Sequence, residues 1–350
     1  MLRNKLLSTA CALLLSAISL SAETWKFASE EAKKDVQDIY AQEFAKVVKE
    51  ESNGKIKVRI YYYGQLGGEN DIVELTSNGS INFVSVGTGH LGSYVPEVQA
   101  ISIPYVLTNN EDAAYEVLTT SKTIYNDLAP KFDKANLKLL SMISEGEMAW
   151  GANKPIRSPE DFAGFKIRTF TSTIPVETYK AFGAVPTPLS WGEVYSSLQL
   201  GTVDGMVNPM YFIYNAKWHM VQKYIMFPGQ QPYIGTISTN AKWYAKQSPE
   251  KQAIIKKAIE SANKAAFIYQ KRINKENTAK MLEENKELKI IKLTDSEKAR
   301  FKELSKSLHG TFLDVVANTY PDAKKEQAKK EAKNILDNLI TEVKDAESRH

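Results

Sequence analysis

The sequence predicts an α/β protein with two domains and largely parallel sheets. Short apolar runs with a period of two residues alternate along the chain with longer apolar runs of helical period, which is the order of elements in α/β folds. The 350 residues are enough for two domains of about 150 residues each. Apolar residues make up 43% of the chain and charged residues 25%, a composition typical of a protein with a buried core.

Each element is predicted from its apolar spacing and from the residues that begin or end it. Asn53-Gly54 stops the first helix, the run from Ser190 to Glu193 has the capping-box pattern of a helix start, and Gly201 ends that helix. The predicted helices cover residues 35–50, 111–119, 123–132, 190–201 and most of the chain after 249, with a short helix from 72; the predicted strands cover 56–60, 81–86, 137–142, 165–168 and 203–207, and residues 101–107 are predicted to be extended.

The first 22 residues have the pattern of a cleaved secretory signal peptide. Arg3 and Lys5 precede an apolar run of about a dozen residues, and Ser21 and Ala22 offer the small side chains of a cleavage site. The apolar run is shorter than the roughly 20 residues that a membrane-spanning helix needs. We therefore expect an exported, periplasmic protein whose mature chain has lost Arg3, Lys5 and Cys11, which lowers its net charge from +4 to +2.

Composition and motifs exclude several classes of function. A mature chain without cysteine has no disulfide framework, zinc ribbon or iron–sulfur site, and the histidines at 90, 219, 309 and 350 lack the spacing of metal ligands. The sequence contains no block of five or six like charges, so it gives no indication of binding to nucleic acid. The serine-hydrolase elbow, the zinc-protease helix motif and the phosphate-binding loop are also missing from the sequence. We therefore expect no catalytic residue, no metal and no cofactor.

A glycine-rich segment invites a different interpretation. Gly87 through Gly92 reads GTGHLG, which matches the GxGxxG pattern of dinucleotide-binding folds, and it follows a predicted strand. That fold requires a helix directly after the glycines, whereas here Pro96 follows and residues 101–107 are predicted to be extended. We interpret the segment as a glycine-rich loop at the mouth of a cleft.

Three polar or aromatic residues are placed where α/β sheets bind ligands. Arg168 ends a predicted strand, and its planar guanidinium matches a carboxylate with two parallel hydrogen bonds; an arginine in a surface ion pair is an equal alternative. Asn208 follows the next predicted strand, where its amide can donate to a bound oxygen. Trp191 stands at a helix start and either belongs to the core or forms the wall of a pocket.

Motifs along nearly the whole mature chain resemble the solute-binding proteins of TRAP transporters, of the DctP type. They are Gly64 to Gly67, Ile103 to Val106, Asn153 to Ile156, Phe162 to Arg168, Ala181 to Ala184, Pro186 and Pro188, Trp191, Glu193 to Tyr195, Leu198-Gln199, Gly201, Asp204-Gly205 and Asn208-Pro209. The resemblance implies a two-lobed periplasmic-binding-protein-like fold, with a ligand cleft between lobes that are joined by hinge strands and a long helix, and a long helical C-terminal region. It implies a protein that closes on a small organic acid and delivers it to membrane permease subunits.

The resemblance also implies domain boundaries and site residues. We expect a signal peptide at 1–22, lobe I at 23–145 plus 234–272, and lobe II at 146–233 plus 273–350. Arg168 resembles the family arginine that holds the ligand carboxylate, Asn208 the asparagine beside it, and Trp191 an aromatic residue that lines the pocket. Met148 replaces a second ligand arginine of members that bind sialic acid, which weakens a sugar-acid assignment. His90 stands at the position of a basic residue of those members, and the resemblance implies that it contacts the ligand.

Further segments resemble family members that bind the zwitterion ectoine. They are Trp25 to Ala28, Glu30-Glu31, Asp35 to Asp38, Glu145 to Met148 and Thr178 to Lys180. In that branch a glutamate at the position of Glu30 pairs with the cationic ring of the ligand. The resemblance thus implies Arg168 for the anion, Glu30 and Glu147 for the cation, and Trp191, Phe170 and Tyr211 for the ring faces. An acid that begins a helix at the surface is an equal interpretation of Glu30.

The expected function is capture of a small carboxylate-bearing solute, with ectoine as the leading candidate. A C4-dicarboxylate or another organic acid remains an alternative within the same family. A secreted α/β enzyme is an alternative from another class, although the sequence supplies no nucleophile, metal site or cofactor motif for it. A structural protein of the cell envelope is a further alternative, and such a protein needs no ligand pocket.

Overall fold

The computed structural model describes residues 22–350, so the predicted signal peptide, apart from Ala22, lies outside the described residues. The strands are β1 (Glu23–Ser29), β2 (Ile56–Tyr61), β3 (Phe83–Gly87), β4 (Leu137–Ala152), β5 (Lys166–Thr169), β6 (Val185–Pro188), β7 (Gly205–Pro209), β8 (Tyr224–Phe227), β9 (Pro232–Asn240) and β10 (Lys289–Lys292). The helices are α1 (Val36–Glu51), α2 (Glu69–Ser77), α3 (Thr88–Leu91), α4 (Glu111–Thr120), α5 (Thr173–Ala181), α6 (Val194–Leu200), α7 (Met210–Asn215), α8 (Ala241–Ala245), α9 (Pro249–Glu284), α10 (Asp295–Ser305), α11 (Ser307–Ala317) and α12 (Asp322–Arg349).

Strand β4 joins two lobes. The strand order is β2-β1-β3-β9-β4-β7-β5-β6, with β8 beside β4 and β10 beside β8. The first part of β4, from Leu137 to Glu147, pairs with β9, whereas its last residues pair with β7 and β8. We call the half that contains β1, β2, β3 and β9 the first lobe, and the half that contains β5, β6, β7, β8 and β10 the second lobe.

The sheets are mixed, so the prediction of largely parallel sheets is wrong. The pairs β1–β2, β1–β3, β5–β6, β5–β7 and β8–β10 are parallel, but every pairing of β4 and β9 is antiparallel. Strand β9 inserts between β3 and β4 from a distant part of the chain and runs against both. Apolar periodicity reports which face of a strand is buried and carries no information on its direction.

Helix α1 and strand β2 confirm the prediction for their part of the chain. Along α1 the apolar side chains at helical spacing are buried, and they pack on the equally buried face of α9. Gly54 adopts φ +75°, a left-handed conformation that glycine reaches without the steric cost of a Cβ, and the chain turns there into β2.

The 36-residue helix α9 contacts both lobes. Ser248 caps its start by accepting the N–H of Lys251. Its first half packs on α1 in the first lobe, and farther along Asn274 donates to the carbonyl of Glu145 and accepts the N–H of Tyr211. No helix within residues 22–350 combines the length and the apolar character needed to cross a membrane.

The last helix, α12, packs on the first lobe, which differs from the expected assignment of 273–350 to lobe II. Its buried stripe, which includes Ile335, Leu336 and Leu339, joins the apolar cluster that contains Val84 and Val117. The carboxylate of Glu342 also accepts hydrogen bonds from Ser121 and from the N–H and hydroxyl of Thr123. The chain therefore crosses back to the first lobe after α10.

The glycine-rich segment is not wholly a loop, because a single helical turn, α3, lies within it. The prediction of an extended segment at residues 101–107 is wrong, because a 3₁₀ helix spans Pro96–Ser102 and turns follow it. Ile101, Ile103, Val106 and Leu107 are all buried. Because this irregular segment is buried, many of its residues are apolar. The sequence of such a segment resembles that of a buried strand.

Candidate ligand-binding pocket

A small pocket lies where the ends of several strands from both lobes meet. It encloses about 230 Å³, counting the open space at its mouth. It is lined by Glu30, Glu69, His90, Arg168, Phe170, Trp191, Asn208, Phe212 and Tyr233. Six of the eight predicted site residues are thus brought together.

Arg168 and Asn208 form a donor pair on neighbouring parallel strands. Arg168 lies in β5 and Asn208 in β7, near the carboxyl ends of both strands. Arg168 Nε donates to the carbonyl of Leu189 at 3.0 Å, and Nη1 donates to Asn208 Oδ1 at 3.0 Å. These bonds fix the plane of the guanidinium, and they leave Nη2 and the amide nitrogen of Asn208 as donors toward the pocket.

The guanidinium of Arg168 is almost completely buried, yet it stays charged. Burial lowers the pKa of Arg168 to about 10, and the nearby carboxylates of Glu69 and Glu30 oppose that change. The charge also lies over the ring of Phe170, 4.8 Å from its centroid. A buried, oriented and charged arginine is suited to bind a carboxylate.

Glu30 is held by one of its oxygens and is unsatisfied at the other. Oε1 accepts from the N–H of Gly87 at 2.7 Å, the hydroxyl of Tyr233 at 2.7 Å and Gln37 Nε2 at 3.0 Å. Oε2 is buried and has no hydrogen-bond partner among the described residues. Burial and the proximity of Glu145 raise the pKa of Glu30 to about 8. A buried carboxylate oxygen without a partner indicates that a donor or a cation is to be supplied by a ligand.

Aromatic rings form most of the remaining wall. Tyr233 contacts Phe170 and Phe212 with centroid distances of 5.6 and 5.7 Å, and Trp191 covers another side of the pocket. The indole Nε1 of Trp191 is buried and has no acceptor among the described residues. Rings of this kind bind a flat or cationic group by its face.

Glu69 and His90 complete the polar lining. Glu69 Oε1 lies 4.0 Å from His90 Nε2, and His90 Nδ1 lies 3.3 Å from the hydroxyl of Thr171. Burial lowers the pKa of His90 to about 4, so this histidine is neutral at pH 7. The pocket therefore combines one cation, Arg168, with two carboxyl groups, Glu30 and Glu69.

Glu147 and Tyr211, predicted to contact the ligand, lie outside the pocket lining. Glu147 accepts the N–H of Gly229 at 3.1 Å. The hydroxyl of Tyr211 contacts Glu31 at 2.6 Å and also Glu145. Tyr211 stacks behind Phe212, with the two ring centroids 4.5 Å apart.

A buried layer of acidic residues lies behind Glu30. It consists of Glu31, Asp35 and Glu145. Burial raises the pKa of each of the three, to about 7 for Asp35, and repulsion by Glu145 adds to the rise for Glu31 and Asp35. No group of three or more acidic, histidine or cysteine side chains within residues 22–350 has an arrangement that holds a metal ion.

The glycine-rich segment packs against the pocket wall. A Cβ at Gly87 would lie 2.1 Å from the hydroxyl of Tyr233, and a Cβ at Gly89 would lie 2.8 Å from Phe170 Cγ. A Cβ at Gly92 would lie 2.5 Å from Gln99 Cγ. These glycines thus permit the close approach of pocket side chains and leave no space for a pyrophosphate.

We expect a Gly89→Ala variant to lose solute affinity, because its methyl group displaces the ring of Phe170. Overpacking of this kind typically costs about 1–3 kcal/mol, which corresponds to a loss of about fivefold or more if it falls on the bound state. Isothermal titration calorimetry measures the loss. Gly310→Ala is the matched control, because nothing lies within 4 Å of a Cβ there. Equal affinities of the two variants would contradict the assigned role of Phe170.

Sequence reasoning missed Glu69, Phe212 and Tyr233. Glu69 is the first residue of α2, where an acid is commonly placed for its interaction with the helix dipole alone. Phe212 directly follows Tyr211, and its aromatic side chain beside that predicted site residue is the available signal. Tyr233 lies in β9, a strand that was not predicted, although its four β-branched residues, two Ile and two Thr, give a usable signal.

A buried polar pocket between two lobes that share a strand is the arrangement of a protein that captures a small solute by closing on it. A family model for bacterial extracellular solute-binding proteins, family 7 (DctP), matches residues 27–314. The chain is 34% identical over 306 residues to the ectoine/5-hydroxyectoine-binding periplasmic protein UehA of Ruegeria pomeroyi, which covers 87% of this chain and 90% of that protein. It is 37% identical over 315 residues to the ectoine-binding periplasmic protein TeaA of Halomonas elongata, which covers 89% and 92%.

Solved structures give the same result. The structure of the periplasmic ectoine-binding protein from the TeaABC TRAP transporter of Halomonas elongata superimposes with a TM-score of 0.85 at 34% identity, covering 92% of this chain and 99% of that one. The apo state of TeaA gives a TM-score of 0.79 at 33% identity, covering 93% and 100%. The chain belongs to the DctP family and is a solute-binding protein of a TRAP transporter. Proteins of this family bind small molecules and work with membrane permease subunits, which confirms the predicted class.

Proposed function

We propose that this protein captures ectoine, or a closely related compact zwitterion, in the periplasm and delivers it to the membrane subunits of its transporter. The observation that carries the proposal is the unpartnered, buried Oε2 of Glu30, in the same small pocket as the charged Arg168. A ligand cation that donates to this oxygen would stabilise the ionised form of Glu30, which burial otherwise disfavours. The names of the similar proteins UehA and TeaA support the same ligand.

The proposed binding mode assigns one part of the ligand to each part of the pocket. The ligand carboxylate accepts from Arg168 Nη2 and from the amide of Asn208, whose orientation the Nη1–Oδ1 bond sets. The cationic ring donates to Glu30 Oε2. The rings of Phe170, Trp191 and Tyr233 cover the ring faces, and neutral His90 adds no charge. The predicted ligand contacts of Glu147 and Tyr211 stay predictions.

The proposed function includes no chemical step. Arg168 and Glu30 supply charge complementarity, and capture of the solute requires no nucleophile and no general base. We also propose that export through the predicted signal peptide brings the protein to the periplasm, where its similar relatives are found.

Calorimetric titration of the purified protein tests the ligand. The protein is first unfolded and refolded to remove any bound solute, and it is then titrated with ectoine, 5-hydroxyectoine and succinate. We expect tight binding of ectoine or its hydroxylated form and weak or no binding of succinate. Tighter binding of succinate would contradict the proposal and favour a dicarboxylate transporter. Mass spectrometry of the recovered ligand checks for turnover, and an altered mass would favour the enzyme alternative.

A further inference from the structure

Two side chains at the mouth of the pocket reach from the first lobe to the second. Tyr63 follows β2, and Glu69 begins α2. Glu69 Oε1 accepts the backbone N–H of Trp191 at 3.1 Å, and the hydroxyl oxygen of Tyr63 accepts the N–H of Gly192 at 3.2 Å. The ring of Tyr63 also meets the indole of Trp191 edge to face, with the centroids 5.2 Å apart.

These bonds depend on the lobes being closed. Trp191 and Gly192 are the first two residues of a 3₁₀ turn, so their N–H groups have no acceptor within their own helical segment. When the lobes separate, the two N–H groups lose their first-lobe acceptors and turn to water. The contact with Tyr63 is close, since a Cβ at Gly192 would lie 3.0 Å from the tyrosine hydroxyl. A larger residue at that position would push Tyr63 away.

The contacts act directly on the wall of the pocket. Trp191 lines the pocket, and both bonds hold the backbone of this residue or of its neighbour. Glu69 lines the pocket as well, whereas Tyr63 does not belong to the lining and reaches the solute only through Trp191. The two contacts thus connect closure of the lobes with the position of the indole.

We propose that Tyr63 and Glu69 form a clasp that keeps the lobes closed, positions Trp191 on the bound solute and thereby sets the rate of solute release. Both are positioning residues in this role. The inference deepens the proposed function, and it depends on that function only for the choice of ectoine as the probe.

The test is the release of ectoine from a Tyr63→Phe variant, measured by stopped-flow displacement. Loss of one neutral hydrogen bond that exists only in the closed form should raise the release rate about three- to tenfold and leave the association rate unchanged. Tyr62→Phe is the matched control, because the hydroxyl of this neighbouring tyrosine donates to Asp38 within the first lobe at 2.9 Å. The midpoint of thermal unfolding without ligand should be the same for both variants.

Variants of Glu69 separate positioning from simple loss of structure. Both Glu69→Gln and Glu69→Ala remove the charge that Glu69 places in the pocket, but Glu69→Gln keeps an acceptor oxygen for the N–H of Trp191, so it should release ectoine more slowly than Glu69→Ala. Glu69→Ala removes the acceptor and should release ectoine faster. Release from Tyr63→Phe at the wild-type rate, or equal acceleration in Tyr62→Phe, overturns the clasp.

A second measurement needs no ligand and separates the clasp from the proposed function. Spin labels are attached to cysteines that replace the exposed Lys57 in the first lobe and Lys154 in the second, and the distance distribution between them is recorded. Tyr63→Phe should shift this distribution toward the open form, and an unchanged distribution overturns the clasp. If ectoine does not bind to the wild-type protein, the proposed function fails and this second measurement decides the clasp alone.

Discussion

An Arg168→Ala variant should fold and yet bind ectoine about two to three and a half decades more weakly than the wild type. Removing one partner of a buried ion pair typically costs about 3–5 kcal/mol, because the other charge stays buried without compensation. Here the partner that stays without compensation is the ligand carboxylate. The variant also loses the 3.0 Å bond by which Arg168 orients Asn208. Calorimetric titration at one pH gives the change in affinity.

Two further variants make the result specific. Arg168→Lys keeps the charge but lacks the two-pronged geometry, so it should bind more weakly than wild type even if the alanine variant is unstable. Arg157→Ala removes an arginine that forms an exposed ion pair with Glu297, and such pairs contribute only about 0–1 kcal/mol. Wild-type affinity in Arg168→Ala and Arg168→Lys would refute the carboxylate assignment.

A Glu30→Gln variant should discriminate between the two candidate ligand classes. Its side chain has the same shape, but an amide nitrogen replaces one carboxylate oxygen and no negative charge faces the ligand cation. We expect a loss of about 3–5 kcal/mol for ectoine and little change for succinate. Glu177→Gln, which alters an acid paired with Lys180 at the surface, should leave both affinities unchanged. If Glu30→Gln bound ectoine like the wild type, the cation would lie elsewhere.

The same carboxyl group should make binding depend on pH. With a pKa of about 8, Glu30 is mostly protonated at pH 6 in the unliganded protein, and binding of a cation must first remove that proton. Affinity should therefore rise by up to about tenfold per unit between pH 6 and 8 and level off above 8. The pKa values of His90 and Arg168, about 4 and about 10, lie outside this window. Asp35, with a pKa of about 7, titrates in the same window in both the wild type and the Glu30→Gln variant. The ratio of their affinities at each pH therefore reports the titration of Glu30 alone.

Sequence patterns were sufficient for single elements and insufficient for their arrangement. The face of α1, the strand β2 and the left-handed glycine at 201 follow from local spacing, and the structure has all three. The position of β9 between β3 and β4 depends on pairing between residues far apart in the chain, such as Val86 with Thr236 and Leu137 with Asn240. Local spacing contains no signal for such a contact.

The pocket was predictable at the ends of strands and at the helix start of Trp191, but not at the helix start of Glu69. Arg168 and Asn208 follow from their places at the ends of neighbouring strands, and Glu30 from the resemblance to ectoine-binding proteins. Glu69 could not be distinguished from an ordinary acid in the first turn of a helix, because its function depends on the N–H of Trp191 in the other lobe. The bond joins residues 122 positions apart, and no local rule predicts it.

The position of helix α12 has a consequence for building an optical sensor from this protein. Arg349 and His350 both contact Glu116 of α4, so the end of the chain is fixed to the first lobe. A fluorescent protein fused after His350 would follow the first lobe as a rigid body, away from the cleft. A second fluorophore on the second lobe, at Lys154 for instance, would then report each closure as a change in energy transfer.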